Sequence, residues 1–270
     1  MDELMICVAP YPSEKQTARV DRRVNVPEEV LRSYHAGASI AHLHVRDEEG
    51  KQVADPVFFQ SNVEEIHRSC PIIIEGSTGG GPEHTLHERS TSFRVPGIEM
   101  GSLNVGSINM YDGVYQNSMP DIRYYAQELR KRSIKPFICI FDLSMLYNVE
   151  ELAKEGLISS PFVYNFVFDT PGCLPFSEKA LGFFLNHIPN NSPWFMTRHH
   201  AKGWKDFQMA LERGGHVRVG YEDSPFLSSG AMAQSNANLV EEIAKAAPSF
   251  GRKVVHSDRA REILGIPPRK

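Results

Sequence analysis

Apolar residues along the chain fall into eight short, nearly unbroken runs, and amphipathic stretches fill the gaps between them. The runs are LMICVAP (4–10), SIAHLHV (39–45), PIIIEGS (71–77), IEMGSLN (98–104), KPFICIFD (135–142), FVYNFVFD (162–169), PWFMTRH (193–199) and HVRVGYED (216–223). Continuous runs of this length predict parallel strands buried on both faces, because a half-exposed strand would alternate apolar and polar positions. The stretches between them carry helix signals. PEEVLRSYHAG has Pro27 at its start and Gly37 past its end, the usual asymmetry of a helix. PDIRYYAQELRKRS (120–133) is acidic early and basic late, which suits the helix dipole. NVEELAKEG (148–156) stops at a glycine, while GWKDFQMALERGG (203–215) and NANLVEEIAKAA (236–247) space apolar residues three and four apart. Eight such units, with no linker-like or low-complexity tract, predict a single (β/α)8 barrel domain spanning residues 1–270. An open doubly wound sheet is the competing arrangement, and strands spread evenly to residue 223 fit closure better.

Composition narrows the class without naming a chemistry. Hydrophobic content of 41% and charged content of 23% are ordinary for a globular protein. A net charge of -4 offers no basic footprint for nucleic acid. No run of 18 apolar residues predicts a membrane span, and the N-terminus lacks the basic region of a cleaved signal peptide. Cys7, Cys70, Cys139 and Cys173 lie far apart with no CxxC, so no disulfide framework is expected. A reducing, cytoplasmic setting follows.

The barrel reading turns strand ends into candidate chemistry, since barrel enzymes place their sites at the C-terminal ends of the strands. Those ends are dense in polar residues: Glu14 after the first run, His42, His44, Arg46 and Asp47 on the second, and Ser77 on the third. Ser102 and Asn104 stand on the fourth, Asp142 and Asp169 on the fifth and sixth, Arg198, His199 and His200 on the seventh, and Arg218, Glu222 and Asp223 on the eighth. His42 and His44 are two apart, which puts both imidazoles on one face of a strand, with Cα atoms roughly 6–7 Å apart. Two imidazoles so placed suit one zinc, with Glu222 as a third ligand from a neighbouring strand of a closed barrel; two hydrogen-bonded histidines in a polar pocket are the plainer alternative. Such a set also accepts cobalt or manganese. If the last strand runs through 222, Arg218 and Glu222 share a face and Asp223 points away; if the chain has left the strand, all three can meet. The glycine run after Ser77 suits either an anion cradle or a tight rim loop, and Ser77 either a substrate contact or a local cap.

Five segments in register, GASIAHLHVRDEEGK, IIIEGSTGG, EMGSLNVGSIN, GGHVRVGYED and SNANLVEEIAKAAPSFGRKVV, resemble the β-keto acid cleavage enzymes over about residues 5–266. The resemblance implies a (β/α)8 barrel assembled as a homotetramer, one divalent zinc per subunit, and acetyl-CoA as co-substrate with a small β-keto acid, giving acetoacetate and a new acyl-CoA. It implies His42, His44 and Glu222 as metal ligands and Arg218 with Asp223 as a catalytic dyad. It places Ser77 and Glu14 in the catalytic site and Ser102 and Asp142 against the substrate; Asn104 joins them as a candidate substrate contact from its place at the end of the fourth run. Departures fall in DTPGCLP (169–175), TRHHAKG (197–203) and Ser224 after Glu222–Asp223, all in loops expected to shape the substrate and CoA sides. The rivals are a metal-dependent hydrolase, a CoA-independent zinc aldolase or lyase, and a non-catalytic metabolite-binding barrel. Asp142 and Asp169 stand where the hydrolase pattern wants histidines.

Overall fold

The computed structural model of the chain describes residues 2–12, 24–80 and 83–269; Glu14 lies outside them. Eight parallel strands close a barrel in sequence order: β1 (Ile6–Val8), β2 (Ile40–Leu43), β3 (Ile73–Gly76), β4 (Met100–Asn104), β5 (Lys135–Ile140), β6 (Val163–Phe168), β7 (Trp194–Arg198) and β8 (His216–Val219). Each lies within one of the eight apolar runs. The main difference is at the last run, where β8 stops at Val219 and residues 220–223 form a turn.

Helices connect the strands on the outside. α1 (Val26–Ala36) is capped by the Asn25 side chain, which accepts from the Glu28 amide, and is closed by Gly37 in the left-handed region. α2 (Val57–Ser69) and α3 (Leu86–Arg89) follow β2 and β3, and α4 (Met119–Lys131) opens on a Ser118–Asp121 capping box. α5 (Met145–Lys154), α6 (Glu178–His187), α7 (Gln208–Glu212) and α8 (Asn236–Ala246) complete the ring, and α9 (Ser257–Leu264) follows it. A short antiparallel hairpin, Ile108–Met110 with Gly113–Tyr115, rises between β4 and α4.

Strand parity sorts the core into two. Ala41, Ile74, Ile138 and Met196 point outward and pack with the helices. Their neighbours Ile40, Ile73, Phe137 and Phe195 point inward, into a cluster that also holds Met5, Met100 and Val163. Phe137 and Phe195 meet edge to face at 5.1 Å inside it. Val255, Ala260, Leu264 and Ile266, in and around α9, pack on the same cluster and seal the N-terminal mouth. Two residues further along six of the eight strands the inward positions become polar: His42, Glu75, Ser102, Asn165, Thr197 and Arg218 are all buried, while β1 and β5 place Cys7 and Cys139 there. Among the described residues the barrel is therefore an apolar plug with a polar layer on top, and it opens at the C-terminal ends of its strands.

Candidate active site

Above the polar layer is a cavity of about 550 Å³, lined by His42, His44, Ser77, Ser102, Asn104, Arg218 and Glu222 among others. Its centre is the group predicted on β2 and after β8. His42 Nε2 and His44 Nε2 are 3.1 Å apart, His42 Nε2 is 3.4 Å from Glu222 Oε1, and His44 Nε2 is 3.2 Å from Glu222 Oε2.

Each imidazole is held by its other nitrogen. His42 Nδ1 donates to Glu75 Oε2, and Glu75 Oε1 accepts from Ser102 Oγ at 2.6 Å. His44 Nδ1 donates to Gln52 Oε1 at 3.3 Å, and the Gln52 amide is itself oriented by its 3.4 Å bond to the Gly79 carbonyl. A proton fixed on each Nδ1 leaves each Nε2 with its lone pair facing the other ligands. Gly79 is required here because a Cβ at that position would stand 2.7 Å from His44 Cε1.

These residues fit a divalent ion. Ligand atoms about 2.0–2.1 Å from a tetrahedral zinc stand about 3.3 Å from one another, close to the three separations given above. Glu222 Oε2 is buried and receives no hydrogen bond, which is costly unless something positive sits against it. Among the described residues this is the cluster able to chelate a metal.

The electrostatics follow from burial and neighbours. Burial is the largest influence on His42 and opposes its charge, but Glu75 and Glu222 together outweigh burial and Arg218, and the imidazole of the free site is raised to about 9. Burial lowers His44 despite Glu222. Burial works against the Glu222 carboxylate, yet Arg218 and the two imidazoles hold it well below the usual range. Glu75 is likewise lowered, its burial outweighed by His42 and Ser102.

The open question about Asp223 is settled by Gly220. Its φ is 151°, and a Cβ there would lie 2.1 Å from the Ala9 carbonyl oxygen, so only glycine fits. The chain leaves β8 at that point, and both carboxylates then turn back to Arg218. Arg218 Nε and Nη2 donate to Asp223 Oδ2 and Oδ1 at 3.0 and 2.8 Å, and Nη2 also donates to Glu222 Oε1 at 2.7 Å. Asp223 is 2% exposed and stands behind Arg218, with Oδ1 3.8 Å from Nε2 of His199. His199 lines the cavity, and burial lowers its basicity.

The remaining candidates divide. Ser77 lines the cavity; its Oγ accepts from the Gly79 amide at 2.9 Å and keeps its own proton to donate, so it both caps the loop and faces a ligand. Asn104 also lines it, but its amide donates to Thr78 Oγ1 and Tyr115 OH and so ties β4 to the hairpin. Asp142 is not brought in. β5 turns Phe141 to the cavity, and Asp142 is exposed, its Oδ1 accepting from Ser144 N and Oγ. Asp169 and Arg198 pair with each other at 2.8 Å and do not line the cavity. His200 accepts no place in it either; its amide donates to the Asp223 carbonyl. Glu75, Gln52 and Tyr115 are site residues that the strand-end rule passes over. The signal for Glu75 is a lone charge in the apolar run PIIIEGS, with the same parity as Ser77.

The chain matches the family model described as beta-keto acid cleavage enzyme over residues 6–266. It is 36% identical to the 3-keto-5-aminohexanoate cleavage enzyme of Acetoanaerobium sticklandii, covering 98% of this chain and 99% of that one. It is 31% identical to the 3-oxoadipate:acetyl-CoA acetyltransferase of Cupriavidus necator, covering 89% and 85%. Among solved structures, the apo structure of ObcA superposes with a TM-score of 0.73 at 15% identity, covering 91% of this chain and 66% of that one, a likeness of fold.

Proposed function

Because the chain belongs to the β-keto acid cleavage enzyme family, we propose that this cavity exchanges acyl groups between a β-keto acid and acetyl-CoA. The observation that carries the reading is the convergence of His42, His44 and Glu222 beside the Arg218–Asp223 pair at the open end of the barrel. Zinc is the ion we assign to the three ligands, which leave open positions of the kind a catalytic site keeps. Once bound it supplies Lewis-acid polarisation of the substrate oxygens.

The chain's own residues do the rest. Ser77 donates its hydroxyl to the substrate, and Arg218 presents a fixed positive charge at the cavity wall. The carbon between keto and carboxylate groups loses a proton toward Asp223, with His199 as the neutral imidazole at the wall through which it passes. That carbon bonds to the acetyl carbonyl carbon, and CoA leaves as thiolate. The thiolate adds to the original keto carbon, whose bond to the central carbon breaks. The central carbon recovers the proton, and the products are acetoacetate and the new acyl-CoA. Glu14 keeps the catalytic place that the resemblance implies. A homotetramer in the cytoplasm belongs to the same proposal, and light scattering of the purified protein checks the assembly.

The test is isotopic. With acetyl-CoA labelled by ¹³C in the acetyl group, the label is expected in acetoacetate and absent from the new acyl-CoA. Cleavage of the keto acid with all label left in acetyl-CoA refutes acyl exchange and identifies a CoA-independent lyase.

A further inference from the structure

We infer that the β-keto acid taken by this site carries an uncharged, largely apolar side chain; the inference rests on the acyl-exchange reading above. The cavity is electrostatically lopsided. Among the described residues, the ionised side chains that line it come from one side: Arg218 on β8 and Glu222 after it, Arg46 after β2 and Glu83 after β3. The metal ligands and Ser77 stand on that side too, so the keto and carboxylate oxygens bind there and the substrate's side chain points across the barrel. The opposite wall, over β4 to β6, is chiefly Met110, Tyr111, Tyr115, Phe141 and Val167, with the neutral amides of Asn104 and Asn165 among them. None of these side chains is ionised.

The charged residues near that wall in sequence do not line it; Asp112 is exposed at the tip of the hairpin, and the others are paired or turned outward. Asp169 Oδ2 is paired with Arg198 Nε at 2.8 Å and its Oδ1 accepts from the Phe176 amide at 2.9 Å. The Arg198 guanidinium lies 4.4 Å from the centre of the Phe176 ring and also donates to the Asp206 carbonyl. Asp142 is turned outward onto Ser144. An ammonium or second carboxylate on the substrate would therefore leave water for a wall with no counter-charge among the described residues, an uncompensated loss of solvation. Both curated relatives described above are named for substrates with a second ionisable group, an amine in one and a carboxylate in the other. The prediction for this chain is distinct from both.

The experiment measures kcat/KM for acyl-CoA formation by the metal-loaded protein on three β-keto acids of matched length. One ends in an alkyl group, one bears an amine and one a second carboxylate. The alkyl substrate is expected to be favoured by at least about 100-fold. Preference for either charged substrate overturns the inference while leaving acyl exchange standing. No product from any of the three refutes acyl exchange, and the inference falls with it. Phe141→Glu supplies the absent counter-charge. It is expected to raise the ratio of amine-bearing to alkyl turnover at least 10-fold, and an unchanged ratio in a folded, metal-binding variant counts against this wall as the side-chain site.

Discussion

Replacing Glu75 with glutamine tests whether the site is built to hold a metal. Glu75 is fully buried and spends both oxygens on the site, one accepting from His42 Nδ1 and the other from Ser102 Oγ. Glutamine keeps the shape and one acceptor but loses the charge. Charge-assisted hydrogen bonds contribute about 1.5–3 kcal/mol against about 0.5–1.5 for neutral ones, so the His42 bond loses about 1–1.5 kcal/mol. Above about pH 9, where the free His42 imidazole is neutral, a metal on Nε2 makes Nδ1–H a stronger donor, so the loss measured there falls on the metal-bound state more than on the free one. The Ser102 bond adds a smaller part. The sum is about 1.4–2.7 kcal/mol, or 10- to 100-fold in metal affinity. Competition against a chromogenic zinc chelator measures it, with thermal melting as the check on folding. Glu75→Gln binding zinc within twofold of wild type, at an unchanged melting temperature, refutes the argument. Ser102→Ala sharpens the test. If Ser102 acts through Glu75, metal affinity falls about threefold or more; if it acts only as a substrate contact, KM rises and metal affinity holds.

Arg218→Lys removes the fork that holds Asp223 and Glu222 together, and kcat is expected to fall by about 100-fold or more with metal content retained, as steady-state kinetics and metal analysis of one preparation will show. Gly220→Ala places a Cβ against the Ala9 carbonyl at a φ of 151°, so stability should drop by at least about 2 kcal/mol in urea titration, with metal binding lost alongside. His216 is buried on β8, accepts the Met5 amide through Nδ1, and is lowered by burial to about 3. Its folded value lies below the unfolded one, so its contribution is intact above about pH 6.5 and is lost at about 1.4 kcal/mol per pH unit as pH falls toward 3. His216→Asn should flatten the pH dependence of unfolding between pH 6 and 4 by one proton, and an unchanged slope would refute the assignment.

The barrel was legible because burial on both faces leaves continuous apolar runs, and strand parity alone put His42 and His44 together. Parity was ambiguous where the chain leaves regular structure. Arg218 reaches both Glu222 and Asp223 only because Gly220 turns the backbone out of β8, and the position of that turn depends on a close approach to Ala9, far away in sequence. Asp142 has the same origin in reverse. A carboxylate ending an apolar run looks like a ligand, but β5 stops two residues earlier and its parity gives the cavity to Phe141. Asp169 and Arg198 were open because pairing between two strand ends is a tertiary fact. Glu75 was visible as an anomaly, yet its meaning needed the neighbouring strand, since the register sets His42 opposite it.

That network also carries a charge argument for the metal. Glu75, Glu222 and Asp223 are three carboxylates linked through His42 and Arg218, and in the metal-free site one guanidinium and the protonated His42 answer them, so the connected set sums to minus one; a divalent ion that displaces the His42 proton brings it to zero. Buried charge is stable only when paired. A divalent ion on His42, His44 and Glu222 closes the deficit, so binding should stabilise the fold as well as serve the reaction. At a free zinc concentration 100 times Kd, the added stability is about 2.7 kcal/mol. For a chain of this size each kcal/mol moves the melting temperature by about 2–4 °C, which gives about 5–11 °C between chelated and zinc-loaded protein. Differential scanning calorimetry across a zinc titration should show that rise, absent in a variant lacking both His42 and His44. Equal melting temperatures with chelator and with saturating zinc would mean that the three carboxylates are balanced without an ion, and the metal assignment would fail on energetic grounds whatever the residues resemble.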